Sequence, residues 1–223
     1  MIFSSRIRSI AKGDRVLEIG PGGTPHSRAD VLLELHYNDP REAAKQRGDV
    51  PALHSKKPVV YYDGGCFPFA DKEFDYVICS HVLEHVPNVE KFLSELFRIA
   101  PKGYLEYPTI YYEYLYNFSV HLNLLKYNGK MLYYLEKDAT PLSEFQNVQR
   151  LYYESLRMGY SDLVEDLRNY MFEGFEWQAP FSCVRADSMN DLTFPIADIG
   201  RQSLFVRLTR AVVRRIGRMG KAA

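Results

Sequence analysis

Short apolar runs recur along the first half of the chain: Val16-Leu17-Glu18-Ile19, Val31 to Leu35, Val59 to Tyr62, Tyr76 to Ser80 and Tyr104 to Tyr107. They lack the polar alternation of a half-exposed strand, so they predict strands buried on both faces, as in a parallel sheet. Between the last two runs, Val89, Phe92, Leu93, Leu96, Phe97 and Ile99 fall largely at helical spacing and predict a helix within Asn88 to Ala100. Pro40 to Arg47 reads as a short charged helix, and Arg6 to Ala11 as a short lead-in helix. Only Pro21 to Asp30, with Pro25 among them, separates the first two runs, so a helix there must be short or missing. Strand and helix otherwise alternate, which predicts a largely parallel sheet with crossover helices on both faces.

Beyond Pro108 the pattern changes. Nine tyrosines lie between Tyr104 and Tyr134, and Leu122 to Leu135 is apolar around Asn128-Gly129, which predicts an inserted β-hairpin beside the cleft. Ser143 to about Tyr170 reads as a long helical region opened by a near capping box, Ser143-Glu144-Phe145-Gln146. Phe175 to Trp177 and Phe181 to Val184 are expected to close the sheet. The domain expected is 1–200, with the insertion at about 109–140 and a tail at 201–223.

Charge changes this picture only at the end of the chain. Lysine plus arginine equals aspartate plus glutamate at 28 each over 223 residues, so no global field favours nucleic acid, which is not expected as a substrate. Residues 201–223 nevertheless carry seven basic residues and no acid. There Leu204, Phe205, Leu208, Val212 and Ile216 would share one side of a helix, opposite Arg207, Arg210, Arg214 and Arg218. Such a helix lies on an anionic membrane surface, packs on the body, or frays. Cys66, Cys79 and Cys183 are odd in number and have no Cys-x-x-Cys spacing, which fits a reducing compartment. No run approaches the ~20 apolar residues of a membrane span. A cytoplasmic protein is expected, with peripheral membrane contact through the tail as one of those three readings.

The candidate chemistry sits where the apolar runs end. Gly20, Pro21, Gly22 and Gly23 follow the first run, and glycine there permits positive φ and close approach of backbone to a ligand. Glu18 stands just before them. Glu34 lies 16 positions later, near the end of the second run, with Asp39 in reserve, and Asp63-Gly64-Gly65 follows the third. The fourth ends in Ser80-His81-Val82-Leu83-Glu84-His85. Glu-x-Gly-x-Gly-Gly, then the series from Asp63 through Phe67-Pro68-Phe69 and Phe74-Asp75 to Leu83-Glu84-His85, resembles the motifs of class I S-adenosylmethionine-dependent methyltransferases of the small-molecule type. The resemblance covers about residues 15 to 107.

It implies a Rossmann-like α/β fold with a largely parallel seven-stranded sheet, and S-adenosylmethionine as cofactor. It also implies methyl transfer to a small-molecule or lipid- or saccharide-linked acceptor. Glu18 and Gly20 to Gly23 would lie along the methionine part, Glu34 at the ribose, and Asp63 with Gly64 at the adenine. Ser80 and His81 would border the reacting methyl. His85 and His81 are the expected general bases, with His121 a poor third and a structural role for His85 equally open. Tyr107 and Tyr111 would line the acceptor pocket.

Three rivals remain. His81-Val82-Leu83-Glu84-His85 formally matches the His-x-x-Glu-His of a zinc peptidase, but it follows a buried strand and three matching strand ends. Some methyltransferases that resemble this chain hold a divalent ion with Glu-x-x-Glu-His at this place. Here His81 stands for the first Glu, so no metal is expected. An NAD-dependent oxidoreductase would need a third glycine where Pro25 stands. A non-catalytic scaffold on the same fold is the rival from another class, against which stand the acids at three strand ends.

Overall fold

The computed structural model describes residues 1–47 and 53–194. The chain divides into two compact units, Met1–Thr193 and Phe194–Ala223. The predicted tail helix at 201–223 lies outside the described residues.

Among the described residues of the first unit nine strands form: β1 Val16–Ile19, β2 Val31–Leu35, β3 Val59–Tyr62, β4 Tyr76–Ser80, β5 Gly103–Pro108, β6 Asn123–Tyr127, β7 Met131–Glu136, β8 Phe172–Trp177 and β9 Ser182–Arg185. The main sheet has the order β3-β2-β1-β4-β5-β8, parallel except for the antiparallel β8 at its edge. Of the first five strands, β1, β4 and β5 are covered on both faces, whereas β3, at the edge, stays half-buried with Tyr61 exposed. Residues alternate across the sheet: Leu17, Ile19, Val77, Cys79 and Leu105 join one core cluster, and Val16, Tyr76, Ile78 and Tyr104 another.

Helix α1 (Pro40–Arg47) follows β2, and α2 (Val89–Ile99) follows β4. Asn88 starts α2, its side-chain oxygen accepting from the Lys91 amide at 2.8 Å. Val89, Phe92, Leu93, Leu96 and Ile99 then turn into the first core cluster, each large side chain contributing about 1.5–3 kcal/mol by leaving water. No helix separates β1 from β2, as Pro21 to Asp30 predicted.

The opposite face is covered differently from expectation. The lead-in helix expected at Arg6 to Ala11 does not form; a single 3-10 turn, Ser4–Arg6, precedes extended chain. The amides of Arg8 and Ser9 donate instead to Glu176 Oε1 at 3.0 and 2.9 Å, so a β8 carboxylate holds this segment extended along the sheet. Ile7 and Ile10 pack from this segment onto Val16, Tyr76, Ile78 and Tyr104.

After β5 the chain forms α3 (Ile110–Tyr116), which sequence reasoning folded into the hairpin insertion. Tyr112 and Tyr116, one turn apart, pack with Phe3, Met171 and Phe172. The hairpin itself, β6 with β7, turns at Asn128-Gly129 as predicted, the Asn128 Oδ1 accepting from the amides of Lys130 and Met131.

The main sheet has six strands among the described residues, not seven. The strand expected to close it, β9, pairs in parallel with β7 and makes a second sheet of order β6-β7-β9. An aromatic cluster accounts for the choice. Tyr127 of the hairpin stacks on Phe175 at 3.8 Å between centroids, and Phe181, just before β9, lies 5.3 Å from Tyr127.

The helical region after the hairpin is broken into α4 (Gln146–Arg157), α5 (Asp162–Asp166) and α6 (Arg168–Met171). Gly159, at φ +89°, ends α4. Its amide donates to Leu156 O and that of Tyr160 to Ser155 O, each at 3.0 Å, the double bond of a glycine-terminated helix. The expected capping box is absent. Ser143 already lies inside a 3-10 turn, Pro141–Phe145, which Thr140 caps through the Leu142 amide. No helix among the described residues is long and apolar enough to cross a membrane.

Candidate active site

Parallel strands present their carboxyl ends along one edge of the sheet, and the predicted residues gather there. β1 runs out at Ile19 into Gly20, whose amide donates to Leu33 O of β2 at 2.9 Å. Gly20 and Gly22 both have φ +59°, and a Cβ on Gly20 would collide with Val82. The turn therefore packs against the β4 end as bare backbone, which no other residue type allows.

Glu18 is buried beneath this turn, 4% exposed, and its Oε2 accepts from the His26 amide at 2.7 Å. Burial pushes its carboxyl up to about 7, against the opposing pull of the His26 N–H and the Lys57 charge. The Lys57 ammonium ties down the loop by donating to the carbonyls of His26, Ser27 and Ala29. Glu34 is half-buried near the end of β2, opposite Tyr61 in register. Asp63 is exposed just past β3, where its Oδ1 accepts from the Gly65 amide at 3.0 Å, the plain Asp-Gly turn, and Gly64 sits at φ +89°.

A second group lies past β4. His81 is one of three non-glycine residues with positive φ, at +56°, among the described residues. Its amide remains in the sheet, donating to Glu106 O at 2.8 Å, while the side chain enters a nest of acids. Nε2 is 3.1 Å from Glu106 Oε1 and Nδ1 is 3.4 Å from Glu84 Oε1. Burial alone would lower the His81 pKa, but the Glu106 and Glu84 carboxylates outweigh it and raise it to about 9. Two carboxylates thus favour the protonated ring, which weighs against the general-base role expected for His81.

Glu106 is buried in β5 and accepts from Ser80 Oγ, Tyr104 Oη and the amides of Ile2 and Phe3, at 2.6 to 2.8 Å. Burial would raise its pKa, yet the His81 and Tyr104 hydrogen bonds and the His81 charge hold it near 2. Ser80 is therefore turned toward Glu106, and the N-terminal segment is drawn to the same carboxylate.

His85 lies in a 3-10 turn, Leu83–His85, and its Nδ1 is 3.0 Å from the Val120 carbonyl. Burial pushes the His85 pKa below its ordinary value. The hairpin supports this turn: the Leu122 amide donates to Glu84 O at 2.7 Å and Asn123 Nδ2 to Val86 O at 2.7 Å. His121 joins from the hairpin approach, its ring 4.6 Å from that of His85 and perpendicular to it.

The two tyrosines assigned to the acceptor behave differently from expectation. Tyr107 lies within β5, wholly buried in the core, and its hydroxyl donates to Glu173 Oε2 at 2.7 Å. That places the ring in the core of the sheet, with its hydroxyl committed to β8. Tyr111 is half-buried in the first turn of α3, packed between two apolar clusters. Sequence reasoning missed Glu106, Glu84 and Glu113 as members of the buried network. The signal for Glu106 was present: an acid inside an apolar strand, as at Glu18.

Residues 17–106 match the model of a family described as the methyltransferase domain. Similar solved structures include a methyltransferase-like protein of Bacillus halodurans C-125 (20% identity, 52% of this chain and 59% of that one, TM-score 0.38). Others are S-adenosylmethionine-dependent methyltransferases from Aquifex aeolicus (17%, 44% and 57%, 0.30) and Mesorhizobium loti (12%, 77% and 93%, 0.41). The chain spans 59% and 57% of the length of the first two. Among curated proteins, none matches significantly. The strand order is that of an α/β Rossmann-like fold, and the family match over residues 17–106 supports methyl-transfer chemistry with S-adenosylmethionine as cofactor. The residues present fit that cofactor: a bare-backbone turn at Gly20, a buried Glu18 carboxyl poised near neutrality to receive an ammonium group, and acids past β2 and β3.

Proposed function

We propose that this chain transfers a methyl group from S-adenosylmethionine to a small-molecule acceptor, or to one carried on a lipid or saccharide. The observation that carries the reading is the gathering of Glu18, the Gly20 to Gly23 turn, Glu34, Asp63 and Ser80 along one edge of four adjacent parallel strands. In that arrangement Glu18 and the glycine turn hold the methionine end, Glu34 the ribose hydroxyls, and Asp63 with Gly64 the adenine. The cofactor, when bound, supplies an electrophilic methyl on a sulfonium.

What remains for the protein is placement and exclusion of water, since an in-line displacement needs no covalent intermediate. Ser80 and His81 border the reacting end. With Nδ1 donating to Val120 O, the His85 imidazole keeps Nε2 as its acceptor. His85, with His121 beside it, is therefore the group to which an acceptor's proton would pass.

The experiment is to incubate the chain with S-adenosylmethionine and fractionated small-molecule and lipid extracts, reading S-adenosylhomocysteine. Product that depends on one fraction and falls at least tenfold in Glu34→Ala supports the reading. A cofactor-bound protein that forms none with any fraction would favour the scaffold instead.

A further inference from the structure

Glu84, His85 and His121 each offer one ligand atom, and the three atoms lie within 4.8 Å of one another. The set differs from the one that the local string offers. It leaves out His81, which is held between two carboxylates, and takes in His121, 36 residues further on.

The preparation of each donor is specific. Glu84 is fully buried, 0% exposed; its Oε1 lies 3.4 Å from His81 Nδ1 as an ion pair, but neither of its oxygens receives a well-aligned hydrogen bond, so among the described residues one cation at the edge of reach is all that balances it. A buried carboxylate left so is costly, and such groups are ordinarily paired or bound to a metal. His85 Nδ1 is anchored on the Val120 carbonyl, which leaves Nε2, 4.0 Å from Glu84 Oε1. His121 Nδ1 is anchored on the Glu113 carboxylate, whose other oxygen receives Lys137 Nζ at 3.0 Å. Both rings thus have one nitrogen engaged by an oxygen acceptor and the other left over, the arrangement in which a second-layer acceptor fixes the tautomer of a metal-binding imidazole. Four-coordinate geometry with bonds of about 2.0–2.2 Å needs donors roughly 3.4 Å apart, so the side chains must draw together by about 1–1.5 Å.

We propose that Glu84, His85 and His121 bind a divalent first-row transition ion, Zn²⁺ foremost, at the hairpin side of the strand edge. Two imidazoles and one carboxylate favour such an ion over Mg²⁺ or Ca²⁺, which prefer all-oxygen sets. Three protein ligands leave a position open to a water or to an oxygen of the acceptor. The inference rests on these side chains and not on the methyl-transfer reading. Should both hold, His85 acts through the ion, which then activates the acceptor in its place.

The test uses the full chain, stripped with chelator and titrated with Zn²⁺ by calorimetry and with Co²⁺ by visible spectroscopy. Stoichiometric Zn²⁺ binding and the visible bands of coordinated Co²⁺ are expected. His121→Ala should weaken Zn²⁺ binding at least as much as Glu113→Gln, for which the loss of an outer-layer acceptor predicts about 10–100-fold. Should either variant fail to fold, the Co²⁺ spectrum of the unaltered chain still decides. Absence of both Zn²⁺ heat and Co²⁺ bands in that chain overturns the proposal, as does binding indifferent to His121→Ala in a folded variant. Neither readout involves methyl transfer, so failure here leaves that reading standing.

Discussion

Replacement of Glu18 by Gln separates what this carboxylate costs the fold from what it gives the ligand. Glu18 is 4% exposed, and burial raises its carboxyl from an ordinary 4.5 to about 7 in the folded chain. The folded state therefore holds this proton more tightly than the unfolded chain does. Its contribution favours folding fully below pH 4.5 and is lost as pH rises through about 7. A shift of that size corresponds to roughly 3 kcal/mol. Gln keeps an oxygen for the His26 amide and carries no charge to bury, so Glu18→Gln should be the more stable protein above pH 7. For a chain of this size the gain amounts to about 6–12 °C in melting temperature, shrinking toward zero near pH 4.5.

The same substitution should weaken S-adenosylmethionine, because the ammonium then meets no carboxylate. In the unaltered protein, affinity should climb by up to tenfold per pH unit below about 7 and level off above it; in Glu18→Gln it should not change with pH. The assay is paired thermal melts and calorimetric titrations between pH 5 and 8.5. A melting difference independent of pH would refute the burial argument, and equal affinities would remove Glu18 from the site.

Other perturbations test separate parts of the account. Glu34→Ala should lower affinity for S-adenosylmethionine by an order of magnitude or more in a calorimetric titration, since a charge-assisted hydrogen bond contributes about 1.5–3 kcal/mol. Gly20→Ala must hold a side chain at φ +59° against Val82, which should cost about 1–3 kcal/mol in a denaturant melt and abolish cofactor binding together. Deletion of 201–223 should abolish association with anionic liposomes in a flotation assay while leaving cofactor affinity unchanged, if the basic face of that segment meets lipid.

The parts of the fold legible in the sequence were those that local pattern determines. β2, β3 and α1 span the residues that the apolar runs and Pro40 place, β4 ends at Ser80 within the stretch read as a loop and strand, and α2 falls within Asn88 to Ala100. Elements decided by distant partners were not legible. Arg8 and Ser9 forgo a helix for Glu176, and β9 leaves the main sheet for β7, contacts spanning 168, 167 and about 50 residues. Tyr112 and Tyr116 had helical spacing, yet the density of tyrosines around the hairpin masked it. The site divides in the same way. The glycine turn and the acids past β1, β2 and β3 follow from strand ends, whereas the pairing of His81 with Glu106, or of His121 with Glu113, depends on β5 and α3 lying beside β4. A histidine's proton affinity is set by such neighbours, which is why His81 read as a base in the sequence while Glu106 and Glu84 raise its pKa in the structure.

The most direct test of the central claim is calorimetric titration of the purified full chain with S-adenosylmethionine and S-adenosylhomocysteine, with NAD in parallel. The account predicts saturable binding of the first two in the micromolar range and none of NAD. A folded sample that binds neither, or that binds NAD instead, would contradict it.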